Sequence, residues 1–498
     1  MSKENSNQVK ESGLKKSILS PIEVLAQSIA SIAPSATPAL VIPLVFYFAG
    51  NGTWLSYSFA TIATLLVGVN LNQYTKRSAS PGSLYSFVVK GLGSGVGVIA
   101  GWALVLAYLL TASAVLAGFI NYAHVLISYS GVSVPPLIIG IVGAVIAWYI
   151  AIKDIQLSAK LMLGFEAVAL FLIFILAIVV LVKSGFKIDL NQITLKGVTP
   201  GGIGLGLVLA FFSFVGFESA TSLGDEAKKP LKTIPRAVII SAVFVGLFFI
   251  LLSHSEILGF EGRDTTLSSS AAPLSELSSF YGVKFLGPLI SVGALISFWS
   301  CFLACTNAVA RILFSMGRHG LFHPSIGITH VKNKTPHIAI TISAVLAAVV
   351  TFLLIINRGG ITHIGDFYKN NELIITIYSW TGTLATYGFI FVYALIAIST
   401  PFYLAKEKEL KTKHIILAVL TILVLLVPII GSVYSNSISP APLPYFIFIF
   451  LAWLVVGGLW FFIRKLQAPE VSENITNYVD SVHQHYKDIR INGDGEGI

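Results

Sequence analysis

Two carboxylate residues lie inside long apolar stretches of this 498-residue sequence, where an ionised group is costly. Glu218 stands in Phe214-Val-Gly-Phe-Glu-Ser-Ala220, ten residues before the basic segment 228–232. At about 1.5 Å of rise per helical residue, this places it roughly 15 Å deep, half of a bilayer core of about 30 Å. Glu166 lies in a second apolar run. Carboxyl groups at such positions can contact a cation or bind and release a proton, so we expect ion or proton chemistry.

The elements that hold these acids are predicted to be transmembrane helices. The chain is 55% hydrophobic and only 11% charged, with a mean hydropathy of +0.83, which is typical of a polytopic membrane protein. Apolar windows of about twenty residues predict an all-α protein with twelve transmembrane helices. These spans are 22–48, 54–75, 92–128, 134–152, 158–183, 203–226, 233–257, 285–317, 337–357, 372–400, 413–432 and 441–466.

The distribution of basic residues predicts the orientation of the chain. With twelve spans, 25 of the 32 Lys and Arg residues fall on the side that carries both termini. The positive-inside rule therefore places both termini in the cytoplasm. Although the net charge is +9, the basic residues are dispersed over short loops, so we expect no nucleic-acid partner. No cofactor or metal is expected either, because Cys301 and Cys305 have no His or acid nearby in sequence.

Two of the predicted helices are interrupted at matching depths. The first span contains Ser31-Ile-Ala-Pro-Ser-Ala-Thr-Pro38, and the sixth contains Gly216-Phe-Glu-Ser-Ala-Thr221. These spans run in opposite directions, as two inverted five-helix repeats require. Paired interruptions predict a transporter site at the bilayer centre, where half-helix termini present unpaired N–H groups to an anionic ligand. The alternative is that Pro34 and Pro38 only kink a lipid-facing helix. The matching second interruption favours the transporter site.

Three separated motifs, in this order, resemble those of the amino acid–polyamine–organocation (APC) superfamily. They are Arg77-Ser-Ala-Ser-Pro-Gly-Ser-Leu-Tyr85, the segment from Phe214 through Asp225 to Arg236, and Asn307-Ala-Val-Ala-Arg-Ile-Leu-Phe-Ser-Met-Gly-Arg-His-Gly320. The resemblance covers about residues 20–466. It implies the leucine-transporter-type fold and alternating-access transport of amino acids or related amines. Span six also resembles the arginine/agmatine exchangers.

The resemblance also implies a division of the chain. We expect a cytoplasmic tail at 1–20, a first inverted repeat at 21–185 and a second at 200–400. Two extra helices follow at 413–466, and a flexible polar tail at 467–498. The expected location is the plasma membrane of a bacterium.

The substrate is expected between the two interruptions. In span one many amino acid carriers of the superfamily have a Gly-Ser-Gly break, whereas this chain has Ala33-Pro-Ser-Ala-Thr37, and Pro34 lacks an N–H group. A substrate carboxylate could still be held by backbone N–H groups there and by the Ser35 hydroxyl. Glu218 either bonds the backbone of its own broken helix or acts as a gate or partner for the substrate ammonium group. The candidate substrate-binding residues are Ala33, Ser35, Ala36, Thr37, Tyr108, Phe212, Gly216, Phe217, Glu218, Ser219 and Trp299.

Glu166 is the candidate for proton coupling. Several sodium-independent relatives have a lysine on span five, and this chain has an acid in that neighbourhood. The alternatives are a structural pairing with a neighbouring helix or ligation of sodium. Ser297 and Ser300 on span eight could complete a cation site, or only hydrogen-bond between helices.

Transport is favoured over two other classes of function. A channel would show charge rings or filter repeats, and an integral-membrane enzyme would show a catalytic motif; we find neither in the sequence. Proton-coupled uptake and obligate exchange of amino acids, amines or polyamines both remain open. The expected partners are therefore a small-molecule substrate, H⁺ and membrane lipid.

Overall fold

The computed structural model describes residues 14, 16–80, 82–132, 134–153, 155–270, 272–357, 372–434 and 445–492. Over these ranges the chain forms seventeen α-helices and no strand, apart from an isolated bridge between Leu19 and Ala227. The helices before the sixth predicted span are α1 (Pro21–Ile32), α2 (Ile42–Ala49), α3 (Thr53–Thr75), α4 (Ser83–Leu92), α5 (Ser94–Ser128), α6 (Pro136–Lys153), α7 (Ile155–Lys183) and α8 (Leu190–Ile193).

The second half of the chain has the same character. Its helices are α9 (Pro200–Phe212), α10 (Pro230–Phe260), α11 (Pro273–Phe280), α12 (Leu286–Arg318), α13 (His337–Asn357), α14 (Glu372–Lys406), α15 (Thr412–Tyr434), α16 (Phe446–Gln467) and α17 (Glu470–Asn492). Ten stretches of the described chain are long and apolar enough to cross a membrane. One of them, Pro21–Thr75, contains the first two predicted spans, and α9 is a shorter apolar helix.

Local sequence signals set the ends of the helices next to the site. At the start of α1 the Ser20 Oγ accepts a hydrogen bond from the Glu23 N–H, while the Glu23 carboxylate accepts one from the Ser20 N–H, at 3.4 and 2.7 Å. This capping box satisfies two backbone donors that would otherwise lack partners. Thr199 similarly caps α9 by accepting from the Gly202 N–H at 3.1 Å.

The ends of α12 and of span six are joined at the side of the molecule that is predicted to be cytoplasmic. Arg311 donates to both carboxylate oxygens of Glu226, at 2.8 and 2.9 Å, and both side chains are buried. The segment 17–19 pairs with 225–228 through backbone hydrogen bonds of 2.8–3.1 Å. The bidentate pair and the backbone ladder together fix the end of span six against α12 and the entry to α1.

The expectation of a flexible C-terminal tail is wrong for the residues that the structure describes. The tail forms α17, which packs on α4, α5 and α16. Lys90 of α4 donates to Asp480 at 2.7 Å. The apolar side of α17 recurs at helical spacing and is buried, at Val471, Ile475, Val479 and Val482. This amphipathic pattern was readable in the sequence, although the segment is polar on average.

Two histidines lie where α17 meets the rest of the chain. Burial, reinforced by Arg318, lowers the pKa of His319 to about 3, and its ring packs 4.6 Å from the Tyr478 ring. Burial and then Lys90 lower the pKa of His483 to about 4, although Glu407 opposes this. Both pKa values lie below the 6.5 of a histidine in water, so both side chains are neutral at pH 7.

Candidate functional site

The first predicted interruption is present in span one. Helix α1 ends at Ile32, and Ala33 adopts a left-handed conformation with φ of 51°. A π-helical turn at Thr37–Val41 then leads into α2. The Ala33 carbonyl accepts hydrogen bonds from the N–H groups of Ala36 and Thr37, at 3.0 and 3.2 Å. Because prolines 34 and 38 offer no N–H group, the regular helical ladder cannot continue through this segment.

The second interruption lies in span six. Helix α9 ends at Phe212, turns follow, and a 3₁₀ helix spans Ser219–Leu223. Gly216 has a φ of +92°, which a residue with a side chain rarely adopts. The chain therefore changes direction at the position that the sequence predicts.

The two interruptions contact each other. The Ser28 hydroxyl of α1 donates to the Phe217 carbonyl at 2.7 Å, and the Ser219 hydroxyl donates to the Gln27 carbonyl at 3.1 Å. At Gly216 a Cβ atom would lie only 2.6 Å from the Cβ of Ser31. The broken backbone of span six thus finds partners on α1, which lowers the cost of its unpaired polar groups away from water.

Glu166 reaches from α7 into the span-one interruption. Its Oε1 accepts two hydrogen bonds from Ser35, one from the backbone N–H at 2.9 Å and one from the hydroxyl at 2.7 Å. The side chain is 1% exposed. Its Oε2 has no hydrogen-bond partner among the described residues. A protein carboxylate therefore occupies the donors that the sequence assigned to a substrate carboxylate.

Span eight lies beside both Glu166 and span one. Ser297 is a close neighbour of the Glu166 carboxylate. The hydroxyls of Ser297 and Ser300 are nevertheless buried without a hydrogen-bond partner in the described chain. The Cys301 thiol donates to the Ser31 carbonyl at 3.2 Å. The unsatisfied Ser297 oxygen beside the Glu166 carboxylate could serve a bound cation, and whether it does stays a prediction.

Glu218 joins span six to two other helices. Its Oε1 accepts from the Tyr108 hydroxyl of α5 and its Oε2 accepts from the Tyr393 hydroxyl of α14, both at 2.5 Å. The carboxylate is fully buried. The sequence indicated Tyr108 but not Tyr393, because an apolar helix carries no signal for which of its aromatic residues faces an acid on another helix. Glu218 thus holds α5 and α14 against span six.

Aromatic rings pack together at the end of α9. The Phe212 ring lies 5.8 Å from the Tyr378 ring, which lies 5.9 Å from the Phe298 ring. Trp299, expected at the site, instead donates to the Gly143 carbonyl of α6 at 3.0 Å. The span-eight aromatic beside the site is therefore Phe298, because consecutive residues of a helix face different directions.

A third buried acid lies near the end of predicted span seven. Glu256 is 1% exposed in α10, and neither carboxylate oxygen has a hydrogen-bond partner in the residues described. Tyr57 and Tyr122 are neighbours of this carboxylate. Tyr122 also donates to the Ala39 carbonyl of the span-one interruption at 2.7 Å. Glu256 therefore belongs to the polar surroundings of the site.

The fold and the site define a membrane transporter: two discontinuous helices meet beside buried carboxylates inside a helical bundle. The fold is similar to that in the crystal structure of a mutant manganese transporter from Eremococcus coleocola. That match has a TM-score of 0.55 at 11% identity and covers 93% of this chain and 95% of the other. The family model for amino acid permeases matches residues 23–471. The chain belongs to the amino acid permease family, which confirms the APC assignment made from the motifs.

Proteins similar to this chain are named for different substrates. The branched-chain amino acid permease BcaP of Bacillus subtilis is 26% identical over 61% of this chain and 68% of its own length. The methylthioribose transporter of the same species is 25% identical over 64% and 70%. The low-affinity putrescine importer PlaP of Escherichia coli K12 is 28% identical over 59% and 65%. The family and these relatives are transporters rather than enzymes.

Replacing Gly216 by alanine tests the contact between the interruptions. The positive φ is unfavourable for alanine by about 1–3 kcal/mol, and the new Cβ would overlap Ser31. We expect a clearly lower melting temperature of the purified protein. The matched control is Gly164→Ala in α7, where a Cβ would have nothing within 4 Å. Equal melting temperatures for the two variants would contradict the close approach at Gly216.

Proposed function

We propose that the protein is a secondary active transporter that moves amino acids or related amines across a bacterial plasma membrane by alternating access. Family membership and the contact between the two interruptions support the proposal. We further propose twelve transmembrane helices, since each predicted span contains one or more of the helices described above. Spans 1–5 and 6–10 would form inverted repeats, and both termini would be cytoplasmic.

The contact between Glu166 and Ser35 carries the proposed coupling mechanism. An ionised Glu166 accepts both Ser35 hydrogen bonds on one oxygen. Protonation removes the negative charge that makes these bonds strong, so it favours release of the Ser35 N–H and hydroxyl. The released donors would then receive the substrate carboxylate. Proton binding and substrate binding would thereby favour each other, as a coupling free energy between two sites requires.

The surroundings of the interruptions favour a neutral amino acid with an apolar side chain. The aromatic rings of Phe212, Tyr378 and Phe298 offer an apolar surface. Glu218 is already occupied by two tyrosine hydroxyls. A diamine such as putrescine has an ammonium group at each end and would gain little from this apolar ring surface. We therefore place branched-chain and aromatic amino acids ahead of polyamines as substrates.

Ligand screening followed by counterflow tests this function. A ligand present at about 100 times its Kd stabilises the native state by about 2.7 kcal/mol, which raises the melting temperature. We expect leucine or isoleucine to do so, and putrescine and methylthioribose not to. In proteoliposomes, labelled substrate should then accumulate transiently against unlabelled substrate inside. Flux without counterflow would indicate a channel, and a response to putrescine alone would contradict the proposed substrate class.

Glu166→Gln tests proton coupling. The amide keeps an oxygen acceptor for Ser35 but cannot bind a proton. We expect uptake driven by an inward pH gradient to fall to the level without a gradient, while exchange of internal for external substrate persists. Glu261→Gln is the control, because Glu261 pairs with Lys187 at the surface. If gradient-driven uptake survives Glu166→Gln unchanged, Glu166 does not carry the proton and obligate exchange or another acid must be considered.

Glu218→Ala tests whether Glu218 acts as a gate or as a partner of the substrate. Removing the carboxylate leaves the hydroxyls of Tyr108 and Tyr393 without their acceptor, at a cost of about 1.5–3 kcal/mol per bond to a charged group. We expect transport to fall by roughly tenfold or more while folded protein remains in the membrane, as judged by gel filtration. Tyr393→Phe removes one donor and keeps the acid, so its defect should be smaller. Near-normal uptake by Glu218→Ala would contradict the assignment.

A further inference from the structure

A basic cleft lies where α3 ends and α15 begins, on the side that the charge distribution assigns to the cytoplasm. Its volume is about 920 Å³. The lining comes from two parts of the chain that are more than 300 residues apart. The lining residues are Val69, Gln73, Lys76 and Arg77 with Lys408, Glu409, Lys411, Lys413, His414 and Leu417.

The charges of the cleft are strongly unbalanced. Five lysine and arginine side chains face one glutamate, which leaves an excess of four positive charges. Glu409 pairs with Arg77, whose guanidinium also donates to the Gln73 carbonyl at 2.6 Å. None of the four lysines forms an ion pair within the described part of the chain. The site therefore attracts an anion and has a fixed arginine at one edge.

The positive-inside rule alone does not explain this arrangement. That rule accounts for the number of basic residues on one side of the membrane. It does not require basic side chains from two distant segments to line a single concavity. Helix α15 also begins at Thr412, so its amino-terminal N–H groups add positive potential at the same place.

The apolar part of the cleft indicates the source of the anion. Val69 and Leu417 belong to its wall. Val69 is 40% exposed, and Leu420, about one turn along α15 from Leu417, is 45% exposed. A free phosphate ion gains nothing from such a surface, whereas the acyl chains of a phospholipid would cover it while the headgroup sits among the lysines.

We propose that this cleft binds the headgroup of an anionic phospholipid. The lipid phosphate would lie between Arg77 and the lysines of the segment 408–413, with its chains along α3 and α15. The bound lipid would join the end of span two to the connection between spans ten and eleven. This site is separate from the interruptions of spans one and six.

Lipid titration of the purified full-length protein, followed by native mass spectrometry, tests the proposal. The probes are phosphatidylglycerol, phosphatidylcholine and inorganic phosphate. We expect the wild-type protein to retain phosphatidylglycerol in preference to phosphatidylcholine. The variant K408Q/K411Q/K413Q should bind phosphatidylglycerol roughly 100-fold more weakly, because it loses three basic residues that each attract an anionic headgroup.

Two further variants serve as controls for charge outside the cleft and for folding of the segment 408–413. K332Q/K334Q/K465Q removes the same charge from exposed positions outside the cleft and should bind phosphatidylglycerol like the wild type. K408R/K411R/K413R keeps the charge and should also retain binding, which shows that the segment is folded. Equal weakening by the two glutamine triples would overturn the proposal. Displacement of the lipid by millimolar inorganic phosphate, or equal retention of phosphatidylcholine, would overturn it as well.

Discussion

The cost of an unpaired backbone N–H or C=O group away from water governs the centre of this protein. A continuous helix satisfies these groups by itself, but spans one and six are both interrupted where no water is expected. Ser28 of α1 supplies partners to the span-six backbone, and the Ala33 carbonyl and Glu166 of α7 supply them to N–H groups of the span-one interruption. Because α1 and span six are hydrogen-bonded to each other, they cannot separate without exchanging partners, and the two are expected to move together.

Glu166 and Glu218, the two buried acids that the sequence indicates, connect different elements. Glu166 binds the donors of span one from α7, whereas Glu218 binds hydroxyl groups of α5 and α14. The first contact joins a carboxylate of α7 to a backbone N–H and a hydroxyl of span one. The second contact holds helices from both halves of the chain against span six. A transport cycle built on them would separate loading of the site from closure of the path.

Much of the architecture was predictable because a bilayer restricts the possible structures. Apolar length located the helices, and prolines and glycines located both interruptions. The aromatic residues that the sequence did not identify were missed for one reason. Spans of this kind are apolar all round, so the pattern does not tell which side faces the site, and Tyr393 and Phe298 were not distinguished from Trp299. Glu256 falls at the end of predicted span seven, where hydropathy does not show whether a side chain is buried or solvated. For α17, the spacing of its buried valines was informative but was outweighed by polar composition.

The docking of α17 on α4 has a consequence for the time course of biosynthesis. The two helices are separated by about 380 residues of sequence. At about 5–20 residues per second, α4 emerges roughly 20–80 s before its partner. Throughout that interval the surface of α4 that α17 will cover, with Lys90 at its end, is available to other molecules. The last helix to be made therefore completes the surface of one of the first.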